Sequence, residues 1–407
     1  MTSTLVHPTT SRTAASRTTT PRGTASRTAA SRTAASRTDR APAVPAAGLL
    51  DLVAGGHGLL RDPDGRARPE DVRVSPALVR RHGLRKGDAV AGTAHGPRDL
   101  ATVERINGRE AGALDGRRHF RDLTPLHPRE RLRLETPSGG PAMRVVDLIA
   151  PVGKGQRGLI VAPPRTGKTV LLQQLAAAVT ANHPEAHLMV VLVDERPEEV
   201  TDMRRSVRGE VYSSTFDRPA KEHIALADLA VERAKRLVEQ GEDVVILLDS
   251  LTRLCRAHNT AAGAGGRTLS GGVDAGALAG PKKLFGAARL AEEGGSLTIL
   301  ATALVDTGSR ADDFFFEELK GTGNMELRLD RTLAEQRVFP AIGIAPSGTR
   351  RDELLVPADE LAAVKGLRRA LHGRDGQGAL QALLDRIRTT PDNAAFVRLL
   401  RSTAPKA

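Results

Sequence analysis

The sequence predicts an α/β protein in which helices cover a parallel sheet, with a small β-barrel and a basic arm ahead of that core. Three observations lead to this prediction. From residue 158 onward, apolar runs alternate with longer helical patterns, as in parallel sheets covered on both faces. Residues 47–134 show short apolar bursts between turn clusters, which is typical of a barrel. Residues 1–46 have almost no large apolar side chains, so we divide the chain into an arm (1–46), a barrel (47–134) and a core (135–407).

The elements of the core follow from hydrophobic periodicity. The predicted strands are nearly all apolar, which fits burial on both faces, and they cover 158–162, 188–193, 211–215, 244–248 and 297–304. The predicted helices cover 168–180, 221–239, 251–262 and 281–292. Smaller helices are expected near 361–371, 380–387 and 393–400.

Composition excludes several classes of protein. The 407 residues include 60 Lys and Arg against 48 Asp and Glu, a formal charge of +12, and 40% of them are hydrophobic. No apolar stretch approaches the ~20 residues that span a bilayer, and no signal-peptide core follows Met1. The single cysteine, Cys255, cannot form an internal disulfide or a multi-cysteine zinc site. We expect a cytoplasmic protein that does not enter a membrane.

The arm carries much of the positive charge. Residues 1–40 contain seven arginines and one acid, Asp39. Six of these arginines recur every five residues, a spacing that fits neither a helix nor a strand. Such a segment cannot bury enough surface to offset its ordering entropy, so we predict a disordered cationic arm. Its composition fits a solvated linker, a tether for RNA or an organelle transit peptide.

A phosphate-binding loop follows the first predicted core strand. The pattern GxxxxGK[ST] is matched, except at its first glycine, by Ala162-Pro163-Pro164-Arg165-Thr166-Gly167-Lys168-Thr169. In such a loop, backbone N–H groups at a helix N-terminus point at phosphate oxygens. Lys168 would reach the β- and γ-phosphates, and the Thr169 hydroxyl would hold Mg²⁺. The strand–loop–helix context therefore predicts ATP and Mg²⁺ as ligands.

Carboxylates follow two other predicted strands. Asp249 ends the run 244–248, as a Walker B aspartate does, and could reach Mg²⁺ directly or through water. Asp194 and Glu195 follow the run 188–193, where a carboxylate could orient and polarise the attacking water. A helix-start acid near a dipole would explain these carboxylates equally well.

Several long and unusual strings lie between residues 151 and 351. They are GQRGLIVAPP (155–164), VDERPEEV (193–200), LLDSLTR (247–253), FGAAR (285–289), EEGGSLTI (292–299) and KGTGNME (320–326). Through them the core closely resembles the Rho family of bacterial transcription termination factors, which are ring-shaped RNA-dependent ATPases and helicases. The resemblance implies a RecA-like core. It extends more weakly over 47–150 and 352–401, where the barrel resembles an OB-fold of the cold-shock type.

The resemblance assigns roles by position, with ATP and Mg²⁺ between neighbouring subunits of a homohexamer. Glu195 matches the glutamate that activates water and acts with Lys168 and Asp249. Arg350 matches an arginine finger donated in trans, and Arg337 matches its supporting cation. Thr169 and Asp249 are the implied metal ligands. The implied nucleotide-binding set is Gly153, Lys154, Gly155, Gln156, Arg157, Gly158, Arg165, Thr166, Gly167, Lys168, Thr169, Val170, Arg196 (against the phosphates) and Phe339 (against adenine).

The resemblance also implies single-stranded RNA and the RNA polymerase elongation complex as partners. Two loops, 265–273 and 306–310, resemble the Q-loop and R-loop that contact RNA in the central pore of the ring. Their candidate RNA contacts are Arg267, Gly271, Gly272, Gly308 and Arg310, and the barrel motif at 56–61 adds His57 and Arg61.

The barrel departs from the family in its aromatic residues. The family has phenylalanines at the positions of His57 and Leu59, and Arg73 also stands where an aromatic is usual. Phe120 is the only aromatic residue in 47–134. Because base–aromatic stacking contributes ~1–3 kcal/mol per base, we expect weaker capture of pyrimidine-rich strands and a more salt-sensitive mode of binding.

Removing residues 1–46 should flatten the salt dependence of RNA binding if the arm contributes to this electrostatic mode. Each lost phosphate contact lowers the slope of log Kobs against log salt by about 0.7 for a single strand. Salt titrations of the full and the truncated chain measure this slope. Equal slopes would show that the arm does not contact RNA.

Three functions are compatible with these residues. The first is a Rho-type terminator that moves along nascent RNA and releases it from RNA polymerase. The second is another RecA-like ring ATPase, against which the Q-loop, the R-loop and the barrel argue. The third is an RNA-binding regulatory variant of Rho with weak ATP turnover. The presence of Lys168, Glu195, Asp249 and Arg350 argues against that third function.

Overall fold

The computed structural model describes residues 43–96, 98–114, 116–137, 139–263 and 268–403. The predicted arm lies outside these residues except at 43–46, which were expected to be disordered. They instead open the first strand, because Ala43 and the residues after it pair with a strand that ends at His95. Arg267 also lies outside the described residues.

The first part of the described chain is a small barrel. Its elements are β1 (Ala43–Leu52), β2 (Gly58–Arg61), β3 (Val72–Val74), α1 (Pro76–Arg81), β4 (Ala89–His95), β5 (Asp99–Ile106) and β6 (Arg109–Glu110). The strands follow the order β3-β2-β1-β4-β5-β6, and pairing of Arg73 with Asp99 closes β3 onto β5. Leu50, Leu60 and Ile106 fill the interior. The predicted β-barrel is confirmed.

A connecting region links the barrel to the core and contains the one aromatic residue of the predicted barrel zone. Phe120 is buried, and the cationic groups of Lys235 and Arg289 lie 5.6 and 4.7 Å from the centre of its ring. Phe120 therefore attaches the connection to the core. The short elements here are β7 (Pro125–Leu126), β8 (Arg131–Leu132), α2 (Gly140–Ile149) and β9 (Val152–Gly153).

The core is a sheet with helices on both faces. Its elements are β10 (Arg157–Ala162), α3 (Lys168–Asn182), β11 (His187–Glu195), α4 (Pro197–Ser206), β12 (Glu210–Thr215), α5 (Ala220–Val238), β13 (Asp243–Asp249), α6 (Leu251–Ala262), α7 (Ala279–Phe285), β14 (Arg289–Ala291), β15 (Ser296–Leu304), α8 (Arg310–Lys320), β16 (Met325–Arg328), α9 (Arg331–Glu335) and β17 (Gly348–Thr349). The strand order is β12-β11-β13-β15-β10-β16-β17, parallel from β12 to β16. The predicted α/β fold with a parallel sheet is confirmed.

The helix predicted over 281–292 is wrong in its second half. Helix α7 ends at Phe285, and β14 then pairs antiparallel with β15. The turn between these two strands contains Gly294 and Gly295, whose φ angles of +108° and +77° favour glycine. The periodicity of the segment could not show this, because a three-residue strand is too short to establish a period.

Three helices follow the sheet and share one hydrophobic cluster with α2 and α3. They are α10 (Ala358–Leu371), α11 (Gly376–Arg388) and α12 (Asn393–Thr403). Their buried residues, including Leu380, Leu383 and Phe396, belong to the same hydrophobic cluster as Leu172 and Leu175. None of the helices in the described residues has the length and apolar character of a membrane span.

Candidate ATPase site and RNA-facing loops

The phosphate loop lies between the carboxyl end of β10 and the start of α3. Gly167 has a φ of +88°, which allows the chain to turn into the helix, and Arg165 has a φ of +66° and is exposed. Thr166 Oγ1 donates to the carbonyl oxygen of Pro163 at 2.7 Å and fixes the turn. The positive end of the α3 dipole therefore lies at this edge of the sheet, where it favours an anion.

Lys168 and Asp249 meet at the same edge. Lys168 Nζ donates to both carboxylate oxygens of Asp249 at 2.5 Å. Asp249 is 1% exposed and also accepts from Thr302 Oγ1 at 2.8 Å. The lysine and the threonine together satisfy a carboxylate that would otherwise be costly to bury.

A β-bulge aims Glu195 toward Lys168. The pairing of β11 with β12 shifts register between Val193 and Glu195, and Asp194 has a φ of +58°. Bulges of this kind redirect a side chain. Arg253, in the first turn of α6, donates to the carbonyl oxygen of Asp194, and its Nη2 lies 3.1 Å from Glu195 Oε2. Glu195 Oε1 is 3.8 Å from Lys168 Nζ.

Glu195 and Glu199 form a coupled pair of carboxyl groups. Burial, together with the hydrogen bond to Glu199, raises the pKa of Glu195 to about 7. Burial opposes ionisation of Glu199, but the hydrogen bond with Glu195 and the charge of Lys168 lower the pKa of Glu199 overall. Glu199 Oε2 also accepts from Thr169 Oγ1 at 3.4 Å. A carboxylate whose pKa lies near neutral pH suits proton transfer from water.

An apolar cleft adjoins the phosphate loop. Phe339 is 46% exposed, and a Cβ on Gly167 would lie 3.8 Å from its ring. A nucleotide base could stack on this ring while its phosphates follow the loop. The cleft is lined by Pro141, Ala142, Arg165, Thr166, Gly167, Val170, Leu171, Gln174, Leu329, Phe339, Pro340 and Ala341.

The structure does not bring the predicted segment 153–158 to this pocket. The segment lies at the amino end of β10, so the six-residue strand, about 20 Å at ~3.3 Å per residue, separates it from the phosphate loop. Lys154 is 6% exposed, and its ammonium group pairs with Glu130, Asp243 and Glu185 at 2.6, 2.8 and 3.4 Å. In this subunit the lysine holds neighbouring elements together and is not available to a phosphate.

The two predicted finger arginines lie at opposite edges of the sheet. Arg350 follows β17, which pairs with the amino end of β16, and its backbone N–H donates to the carbonyl oxygen of Asn324 at 2.9 Å. Its side chain is exposed and has no hydrogen bond or ion pair to any described residue. Arg337 lies instead two residues before Phe339, exposed and with a φ of +62°. Arg350 therefore cannot reach the pocket of its own subunit.

Arg196 and Thr169 lie on the pocket side of the sheet. Arg196 directly precedes α4, is largely exposed, and its Nη1 lies 3.8 Å from Glu199 Oε1. Thr169 is in the first turn of α3. The structure thus brings together Lys168, Thr169, Glu195, Arg196 and Asp249.

The two predicted RNA loops also lie together. Gly271 has a φ of +73°, and a Cβ there would lie 2.8 Å from the carbonyl oxygen of Arg310, so the first loop packs against the start of α8. Gly272 and Gly308 both have a φ of +76°, and Arg310 is exposed. Gly272 and Gly308 have open space where a Cβ would lie, so the backbone of these loops is accessible beside the exposed Arg310.

The barrel residues predicted to contact RNA differ in accessibility. His57 is exposed. The guanidinium group of Arg61 instead bridges Asp51 and Asp71 at 2.7 and 2.5 Å, and its side chain is only 12% exposed. The strand register brings two carboxylates to Arg61, so its guanidinium group is held within the barrel, and an RNA contact at this residue stays a prediction.

Replacing Arg61 with alanine should destabilise the barrel by about 3–5 kcal/mol, since Asp71 would keep a buried charge without its partner. Urea denaturation measures this change. Arg73→Ala is the matched control, because Arg73 is exposed on the neighbouring strand, and it should change stability by less than about 0.5 kcal/mol. An equal change in the free energy of unfolding of Arg61→Ala and Arg73→Ala would contradict a structural role of Arg61 in the barrel.

Three residues of the site were missed in the sequence. Arg253 stands in the string 247–253 without an assigned role, and Glu199 stands in the string 193–200. Thr302 is a polar residue inside an apolar strand, which is the one available signal for it. No spacing rule joins these residues, because they come from three separate elements.

The parallel sheet, the phosphate loop and the carboxylates on β11 and β13 define a P-loop ATPase core, joined here to an OB-fold barrel. Residues 46–111 match the RNA-binding domain of Rho termination factor, and 142–349 match the nucleotide-binding domain of the ATP synthase alpha/beta family. Transcription termination factor Rho of Streptomyces coelicolor is 71% identical over 360 residues, covering 88% of this chain and 86% of that protein. The chain belongs to the family of transcription termination factor Rho.

Further comparisons agree with this family. Rho of Streptosporangium roseum is 60% identical over 88% of this chain and 92% of that protein. An ATPase from the type III secretion system of pathogenic bacteria has a similar structure, with a TM-score of 0.54 and 26% identity over 60% of this chain and 69% of that one. The predicted family, the fold class and the assignment as an ATP-hydrolysing enzyme are confirmed.

Proposed function

We propose that the chain assembles into a cytoplasmic homohexameric ring that hydrolyses ATP, moves along single-stranded RNA and releases it from RNA polymerase. The supporting similarity spans both the barrel and the core, and the relatives bear the name transcription termination factor.

The position of Arg350 carries the proposal of a ring. One edge of the sheet holds Lys168, Glu195 and Asp249, and the opposite edge exposes Arg350. In a ring built from head-to-tail contacts, one face of each subunit meets the other face of its neighbour. Arg350 would then enter the neighbouring pocket and stabilise charge that develops in the transition state. Hydrolysis would be coupled to assembly.

Different residues of one pocket would bind the phosphates, accept a proton from water and contact the base. Lys168 would bind the β- and γ-phosphates, and Arg196 would contact them from the start of α4. Glu195 would accept a proton from the attacking water, in keeping with its raised pKa, while Arg253 fixes its orientation. Phe339 and Val170 would contact the base in the apolar cleft.

Thr169 and Asp249 fit Mg²⁺, because a hydroxyl and a carboxylate are hard oxygen ligands. Among the described residues, no three His, Cys, Asp or Glu side chains form a metal-holding cluster, so phosphate oxygens and water would complete the coordination. When bound, the metal ion would neutralise phosphate charge.

The RNA loops connect with the helix that follows Asp249. Thr307 Oγ1 donates to Asp312 at 2.6 Å, and Arg256 of α6 pairs with the same carboxylate at 2.5 Å. A shift of α6 during hydrolysis would therefore reach the loop that carries Gly308 and Arg310. Such a movement would pull a bound strand.

The test is ATP hydrolysis with and without single-stranded RNA. Wild type should be stimulated by RNA, and Lys168→Ala should lose at least about 100-fold in kcat because it removes a phosphate contact. Arg388→Ala, at an exposed residue of α11, is the control and should behave as wild type.

Turnover of ATP that does not depend on RNA would favour another ring ATPase. Negligible turnover of wild type would favour a regulatory RNA-binding variant. This variant is the second candidate because strands β1 to β6 of the barrel contain no Phe, Tyr or Trp.

A further inference from the structure

The barrel is attached to the edge strand of the ATPase sheet. Strand β12 is the outermost strand, and residues 62–68 between β2 and β3, which we call the docking loop, lie against it. Gly65 packs on the buried ring of Tyr212, where a Cβ would lie 2.8 Å from the ring. Arg66 donates to the carbonyl oxygen of Ser213 at 3.1 Å and to its hydroxyl group at 2.8 Å.

The same strand holds the backbone of Glu195. The N–H of Phe216, just beyond β12, donates to the carbonyl oxygen of Glu195 at 3.2 Å. Ser214 Oγ and His223 Nδ1, both buried, lie 2.7 Å apart. The other ring nitrogen of His223 faces Asp194 Oδ1 at 4.0 Å, and Asp194 is the bulge residue that aims Glu195.

We propose that the docking loop positions Glu195 through β12 and His223, so that the attachment of the barrel to β12 sets the rate of ATP hydrolysis. His223 is a positioning residue, because it contacts the bulge and not the nucleotide pocket. The role of Glu195 in hydrolysis rests on the proposed function. The positioning of Glu195 by the docking loop does not.

Three physical arguments support this role of β12. An edge strand is held by ladder hydrogen bonds on one side only, and Arg66 supplies a partner for a carbonyl group on the other side. Asp194 adopts a left-handed conformation that persists only where its surroundings hold it. A misplacement of about 1 Å in a catalytic group can cost up to ~100-fold in rate.

The kinetics of ATP hydrolysis by Arg66→Ala test whether the docking loop positions Glu195 through β12. We expect kcat to fall about tenfold, because Glu195 loses its support, while KM for ATP and the affinity for RNA change less than about twofold. Arg68→Ala is the matched control, since Arg68 lies on the same loop and pairs with Asp62 and Asp64, with no hydrogen bond or ion pair to β12 in the described residues. It should keep the wild-type kcat. An Arg66→Ala variant with unchanged kcat would overturn the proposal.

A double variant tests whether His223 lies on the same route. His223→Ala should lower kcat as Arg66→Ala does, and the double variant should be no slower than the slower single variant. If the reductions in kcat of the two single variants multiply in the double variant, the route through His223 is overturned. His223→Asn, which keeps a partner for Ser214, replaces the alanine variant if that one does not fold, and the same comparison applies.

Amide hydrogen exchange at Phe216 separates this proposal from the proposed function. Arg66→Ala should speed exchange of this N–H by about tenfold, and Arg68→Ala should leave it unchanged. This readout needs neither RNA nor turnover. If wild type shows no RNA stimulation, the proposed function fails, while faster exchange in Arg66→Ala alone still supports positioning. Equal exchange in all three proteins overturns it.

Discussion

Mixing two inactive variants, Lys168→Ala and Arg350→Ala, should restore ATP hydrolysis. Lys168→Ala alone should lose at least about 100-fold in kcat because it lacks the phosphate-binding lysine. Arg350→Ala alone should lose about 10³-fold or more because it lacks the transition-state arginine. In a mixed ring, an Arg350→Ala subunit keeps Lys168 and can receive Arg350 from a Lys168→Ala neighbour. With random assembly, about a quarter of the interfaces contain both groups. Phosphate release at varied mixing ratios measures the recovery.

Two further mixtures make this expectation specific. A double variant, Lys168→Ala with Arg350→Ala, should restore neither single variant, since no interface then holds both groups. Arg337→Ala mixed with Lys168→Ala should also stay inactive, because Arg337 lies at the same edge as Phe339 and would act within the same pocket. Absence of recovery in intact rings of Lys168→Ala and Arg350→Ala would show that Arg350 does not act in trans.

The parts of the site that the sequence predicted are those encoded by short contiguous motifs. The phosphate loop could be placed because glycine, lysine and threonine have fixed roles between a strand and a helix. Asp249 could be placed because carboxyl ends of parallel strands meet at one edge of a sheet. Most strands and helices of the core were predicted for the same reason, since each has its own local period.

The parts that were not predicted depend on pairing between distant segments. The bulge at Asp194 is a property of the register between β11 and β12, and it decides where Glu195 points. Lys154 and Arg61 looked available as cations until the fold brought carboxylates to them. A positive side chain in a sequence does not show what it pairs with, and only the folded chain shows whether a neighbouring carboxylate already occupies it.

The outward face of the barrel carries positions 57 and 59, where the resemblance to the Rho family implies phenylalanines. Asp51, Leu59 and Arg73 are paired in register across β1, β2 and β3 and so share one face. Leu59 is half-buried but lies outside the interior cluster, whereas its neighbour Leu60 is inside it. His57 is exposed just before β2. Rings at positions 57 and 59 would therefore stand on the surface of the barrel.

Replacing both residues, His57→Phe with Leu59→Phe, should tighten binding of single-stranded RNA by about tenfold per ring, since stacking contributes ~1–3 kcal/mol per base. Fluorescence anisotropy with short pyrimidine and purine strands measures the gain. The salt slope should stay unchanged, because stacking adds no phosphate contact. Leu399→Phe, at an exposed leucine of α12, is the control and should leave affinity as in wild type. A steeper salt slope, or no gain in affinity, would mean that this face of the barrel does not bind bases.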